Sequence, residues 1–154
     1  MKFIDWLFRK LLKNLGKTPF GYRSGQPGLL RLFIMLLIMR PKSRINLAFA
    51  DEKDPQDPRE KRILEWFGIT YYGFAWGAGG PKDWEEVEEV CDLIDSLPRP
   101  VWVGCEGGKD RTGGLVARWK QRNGYDYNSI FSDFGMHKYP AWPWIRYLFR
   151  KEII

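Results

Sequence analysis

In VWVGCEGGKDRTGG, residues 101–114, a thiol stands at the end of an apolar, β-branched run and a guanidinium follows six positions later. After them a helical pattern resumes. The first N–H groups of a helix have no partner inside it, and the helix dipole is positive there. A loop that delivers the chain to such an end is an anion site. Gly107 and Gly108 let the backbone curl so that successive N–H groups point inward. Arg111 adds a planar fork suited to two phosphate oxygens, and Lys109 adds a second cation. Glu106 and Gly113 complete the loop, so the expected oxyanion-binding set is Glu106, Gly107, Gly108, Lys109 and Gly113.

A thiol inside that cradle is not inert. Its pKa, ~8.5 when free, falls near a helix N-terminus and cations. The Cys105 thiolate would lie directly behind a bound phosphate, placed for in-line attack and for a phosphocysteine that water then hydrolyses. Thr112 can donate a hydrogen bond to the sulfur. The expected catalytic set therefore begins with Cys105, Arg111 and Thr112.

The elements that must position this loop are legible as patterns. Residues 2–15 place Phe3, Ile4, Leu7, Phe8, Leu11, Leu12 and Leu15 on one helical face and Lys2, Asp5, Arg9, Lys10 and Lys13 on the other. Residues 1–19 are read as an amphipathic basic helix, and 20–154 as one α/β domain. Residues 20–27 read as a short strand and turn. The run 28–39 is nearly all apolar but short of the ~20 residues that span a bilayer, and reads as a buried helix ended by Pro41. Strands follow at 44–49, 69–76 and 100–103. Helices follow at 59–67, 83–96, 112–123, 127–134 and 141–151, with a charged loop at 51–58. Such alternation predicts a central, mainly parallel sheet flanked by helices. Ligands in such sheets bind beyond the carboxyl ends of the strands, where Cys105 stands.

The chain has 154 residues and a net charge of +6. The excess is uneven: residues 1–44 carry +9, residues 45–100 carry −7 and residues 101–154 carry +4. Such a field attracts anions. Nucleic acid is disfavoured, because the basic residues are not interleaved with aromatics as in a stacking groove. One histidine, His137, and no cysteine pair argue against a metal site, and no cofactor is implied. Two cysteines, Cys91 and Cys105, fit a reducing compartment rather than a disulfide framework. Cys91 falls on the inner face of its helix and is read as core, as are most of the eight tryptophans, Trp142 and Trp144 among them. No secretory signal is evident, so the expectation is a cytoplasmic protein whose N-terminal helix either docks on the domain or touches anionic membrane surfaces.

Cys105-x5-Arg111-Thr112-Gly113 resembles the phosphate loop of the cysteine-dependent protein tyrosine phosphatase superfamily. CEGGKDRTG is similar to the Cys-x-x-Gly-Lys-Asp-Arg-Thr-Gly loop of bacterial and atypical dual-specificity phosphatases, some of which act on phosphoinositides or inositol phosphates. GYRSGQP (21–27) and RINLAF (44–49) resemble other family segments, and the likeness spans about residues 20–150. It implies a metal-free α/β phosphatase acting on a phosphorylated substrate, a phosphoprotein or an inositol phosphate or phosphoinositide. It also hints that Arg23 reaches the phosphate rim. One residue departs from the pattern: Gly104 stands where the family usually has histidine. That motivates the alternative of a weak or inactive phosphate-binding relative. A thiolate-loop sulfurtransferase or arsenate reductase is the other alternative.

The leaving oxygen needs a proton. Many relatives place an aspartate after the strand that here ends near Trp76, and the only acid of WGAGGPKDW is Asp83. Asp83 also opens an Asp-x-x-Glu capping box, in which backbone N–H groups keep a carboxylate ionised. Asp110 is the competitor: relatives with Lys-Asp-Arg loops use this aspartate, and a bound dianion would raise its pKa. Both stand as candidates.

Overall fold

Val101–Gly104 (β5) is apolar without alternation because both of its faces are covered. Val101 and Val103 enter one core cluster and Trp102 enters the other. The structure is a computed structural model that describes residues 15–48, 58–77, 79–132 and 142–152. Around β5 stand β1 (Gly16–Thr18), β2 (Gly21–Ser24), β3 (Ser43–Asn46) and β4 (Thr70–Gly73), in the order β1-β2-β5-β3-β4. β1 runs antiparallel to β2, and the remaining pairs are parallel. The expected mainly parallel sheet flanked by helices is what the chain forms.

Helices α1 (Leu29–Met39) and α2 (Pro58–Trp66) contribute to the cluster on the Trp102 face. Helices α3 (Glu85–Ser96), α4 (Asp110–Arg122), α5 (Tyr127–Ser132) and α6 (Trp142–Glu152) contribute to the cluster on the valine face. Trp144 is fully buried there, and a Cβ at Gly114 would overlap its ring. The glycine thus admits an indole whose burial stabilises the fold by about 1.5–3 kcal/mol, as for a large apolar side chain. Trp76, Trp102 and Trp119 are also buried, whereas Trp66 is exposed.

The register brings Ser24, Gly104, Asn46 and Gly73 into one row at the carboxyl edge. The loops after β2 and β5 therefore leave the sheet side by side, which is what sets the site.

Three expectations need correction. Residues 16–18 are the sheet's edge strand, so the domain begins before residue 20; β1 is only three residues long and its pattern is too short to read. The run 28–39 is a helix, as expected, but not a buried one. Leu30, Phe33, Leu37 and Ile38 are exposed while Leu32, Met35, Leu36 and Met39 are buried, because only one face of α1 meets the sheet. The last major helix of the site begins at Asp110, not 112, so Asp110 and Arg111 belong to its first turn. The N-terminal helix expected over 2–15, apart from Leu15, lies outside the described residues, as do His137 and most of the 51–58 loop.

Candidate active site

Beyond β5 the chain turns through residues 105–109 and enters α4, where the Gly113 N–H donates to the Lys109 carbonyl at 2.7 Å. Gly108 makes that turn with φ +67°. A side chain there would be strained, and its Cβ would lie 2.7 Å from the Ser24 carbonyl oxygen and even nearer Gly25 N. Gly107 is different: a Cβ would make only ordinary contact, with Lys109 Cγ at 3.7 Å. The curl therefore rests on Gly108 and not on both glycines.

Cys105 is 2 % exposed. Burial alone would raise its thiol pKa. Hydrogen bonds from the Thr112 hydroxyl, the Thr112 amide and the Lys109 amide, together with the nearby Arg111 guanidinium, outweigh burial and hold the thiol below its ordinary value. The Thr112 side chain is fully buried. Cys91, by contrast, is a core thiol that burial pushes up to about 12.

Arg111 is held at the mouth of the loop. Its Nη1 donates to the Trp76 carbonyl at 2.8 Å, and its Nη2 lies 3.9 Å from Glu106 Oε2. Its side chain is 13 % exposed, against 74 % for Glu106, so the guanidinium is largely buried and the carboxylate faces water. Lys109 is exposed and Asp110 is half-buried. Trp76 itself is fixed by its indole N–H, which donates to Glu86 at 2.6 Å.

Asp83 does not join this group. Its Oδ1 accepts the Glu85 N–H at 3.0 Å at the start of α3, and no contact among the described residues links it to the loop. The reciprocal half of the expected capping box is not made, because Glu86 serves Trp76 instead. Arg23 is also placed differently from expectation. It is 5 % exposed, and its Nη2 donates to the Gly108 carbonyl at 3.2 Å, bracing the loop from beneath instead of lining its rim.

The loop after β2 forms the second wall. The Gln26 N–H donates to the Glu106 carbonyl at 3.0 Å, and the Trp102 indole N–H donates to Ser24 Oγ at 2.7 Å. Below lies a group the sequence reading missed, Arg44 and Glu60. Both are buried, 0 % and 3 % exposed at their side chains, with Arg44 Nε 3.4 Å from Glu60 Oε1. The signal was available in principle: a cation inside the apolar strand RINLAF is a charge that burial cannot tolerate unpaired.

No family model matches the chain, and no curated protein matches it. Solved structures do. The core catalytic domain of the PP-IP phosphatase SIW14 from S. cerevisiae, in complex with citrate, is similar with TM-score 0.75 and 17 % identity, over 89 % of this chain and 84 % of that one. A DUF442 protein from Shewanella putrefaciens CN-32 gives 0.71 and 18 %, over 96 % and 92 %. P. aeruginosa TpbA in complex with pTyr gives 0.61 and 21 %, over 79 % and 72 %. The strand order and the helices on both faces are thus those of the protein tyrosine phosphatase-like fold.

Proposed function

We propose that this chain is a phosphomonoesterase working through a phosphocysteine at Cys105. The observation that carries the reading is a buried thiol at the turn into α4, held below its ordinary pKa by the hydroxyl and amide of Thr112, the Lys109 amide and the nearby Arg111 guanidinium. In the first step Cys105 Sγ attacks phosphorus in line with the ester oxygen. The S–P bond forms as the P–O bond breaks, and the leaving oxygen takes the proton of Asp110. In the second, water attacks phosphorus and gives its proton back to Asp110. The S–P electrons return to sulfur, and inorganic phosphate leaves. The fork of Arg111 and the loop N–H groups follow the three equatorial oxygens through both steps.

Asp110 is favoured as the acid because it stands in the first turn of α4 beside Arg111, whereas the Asp83 carboxylate is occupied as a cap. The substrate class is a phosphate monoester that carries further negative charge, an inositol phosphate, a phosphoinositide or an acidic phosphopeptide. Exposed Lys109 at the loop supports this, and so do a PP-IP phosphatase and a pTyr complex among the similar structures.

Sulfur transfer or arsenate reduction is less well supported. The second cysteine of the chain, Cys91, is fully buried with a raised pKa, so it is poorly placed to resolve a disulfide. A phosphate-binding module without turnover remains the rival, motivated by Gly104.

The test is phosphate release from phosphotyrosine peptides, phosphoinositides and soluble inositol phosphates, with Cys105→Ser as the blank. Release is expected from at least one class, and Arg111→Lys should lower kcat/KM by about 10²–10³-fold through loss of the bidentate fork. Vanadate binding with no release above the blank in any class would leave only the binding module.

A further inference from the structure

Gly104 precedes the nucleophile, and Arg44 takes the space beneath it. A Cβ at 104 would lie 2.5 Å from Arg44 Nη1 and 2.7 Å from the Ser24 carbonyl oxygen. The guanidinium reaches this place from the neighbouring strand, in the cross-sheet row Tyr22, Trp102, Arg44 and Tyr71. It stacks 4.1 Å from the centroid of the Trp102 ring. Its Nη1 donates to the Ile45 carbonyl at 3.2 Å and its Nη2 to Gln26 Oε1 at 3.4 Å, while its Nε faces Glu60. The amide of Gln26 also donates to Glu60 Oε2. Through its backbone N–H, Gln26 holds the carbonyl of Glu106, the residue after the nucleophile.

This arrangement is costly. A buried ion pair is at best roughly equal in stability to apolar residues of the same volume. The rest of its row is aromatic, and a hydrophobic side chain at 44 would complete the cluster around Trp102. The guanidinium instead meets the Ile45 carbonyl of its own strand, Glu60 and Gln26, and Gln26 links it to the wall of the loop. Buried polar networks that are paired on several sides fix one geometry among alternatives.

We propose that Arg44, anchored by Glu60 and acting through Gln26, is a positioning residue for the nucleophile loop and fills the place that a side chain at 104 would take. Gly104 is then the partner of this device and not a mark of decay. Arg44 touches neither substrate nor sulfur; it sets the path of the backbone from 104 to 106. The role rests on the phosphatase reading, but its test measures the thiol and not turnover.

The experiment is the pH dependence of Cys105 alkylation by iodoacetamide, located by mass spectrometry, with and without vanadate. Arg44→Met/Glu60→Gln removes both charges together, so neither is left buried alone. It is expected to unfold cooperatively on heating, as the wild type does. Its alkylation midpoint should rise by about half to one pH unit, since loop amides and Arg111 no longer converge on the sulfur as well. Vanadate protection should weaken by about tenfold, the loss of one charge-assisted contact. Gln26→Ala, at a half-buried loop position, should shift both readouts in the same direction by less. If the double variant fails to fold, Gln26→Ala decides. A wild-type midpoint and wild-type protection in either folded variant overturns the proposal. Failure of the unsubstituted protein to release phosphate, with its midpoint still low, would instead count against the phosphatase reading alone.

Discussion

Gly108 lies against the backbone of Gly25 so closely that a methyl group at 108 would sit inside the Gly25 amide and 2.7 Å from the Ser24 carbonyl oxygen. Two loops from neighbouring parallel strands thus touch by backbone alone. Gly108→Ala is expected to cost about 1–3 kcal/mol, from a left-handed residue with a Cβ and from separation of the loops. It should also abolish vanadate protection of Cys105. Gly107→Ala, whose Cβ would make only ordinary contact with the Lys109 side chain, should change thermal stability little. Equal melting temperatures for the two variants would show that the close approach is not required.

The two candidate acids should separate by their failures. Asp110→Asn is expected to lower kcat by about 10²–10⁴-fold on alkyl phosphates, whose leaving oxygen needs the proton, and much less on aryl phosphates. Asp83→Asn should leave kcat nearly unchanged on both, because a neutral amide still caps α3. Full alkyl-phosphate activity in Asp110→Asn would move the acid elsewhere.

Glu88 ties α3 to α4 and α6, and its protonation should be visible as acid instability. Arg118 grips it with Nε at 2.7 Å and Nη2 at 3.2 Å, Arg122 stands at 3.5 Å, and the Tyr147 hydroxyl donates to it. Partial burial alone would raise its pKa, but these partners bring it below the ordinary value. A lowered carboxylate stabilises the fold above the unfolded-state pKa, ~4.3, and that contribution disappears as pH falls through the lower folded-state value. Glu88→Gln should therefore be less stable than wild type by about 1–2 kcal/mol at pH 7, discounted for partial exposure. The gap should narrow in denaturant titrations as pH falls from the unfolded-state pKa through the lower folded-state value. A gap independent of pH would mean that packing, not charge, is what Glu88 supplies.

A fourth expectation concerns the molecule's apolar outer face. Leu30, Leu37 and Ile38 are 76, 65 and 49 % exposed on α1, and Trp66 is 81 % exposed at the end of α2. Exposed Arg31, Arg40, Lys42 and Arg62 lie on or next to the same helices. No helix among the described residues is long and apolar enough to cross a membrane. Binding to anionic vesicles that weakens with added salt is expected, with the basic N-terminal segment contributing. Equal sedimentation with neutral and anionic vesicles would count against it.

How much of this was legible in the residues varies with the range of the interaction. Strand β5, the turn at Cys105 and helix α4 follow from local signals: an apolar run, glycines, a cation at a fixed offset. Edge strand β1 does not, since three residues carry no period. The exposed side of α1 was unreadable because its sequence is apolar all round, and only the partner surface selects which side is buried. Arg23 could not be placed by spacing, because the Gly108 carbonyl it serves lies 85 positions away. Arg44 is 61 positions from Cys105, and no spacing rule connects a strand cation to a loop that meets it only through sheet register.

The sequence by itself determined the chemistry on offer: one thiol, one fork, one Thr112 hydroxyl and a glycine able to turn left-handed, all within nine residues whose mutual geometry is set by their own backbone. The tertiary structure alone decided what holds that loop open and in register. The β2 loop, Arg44 and Glu60 arrive from distant segments, and which side chain fills the space under Gly104 depends on how neighbouring strands align.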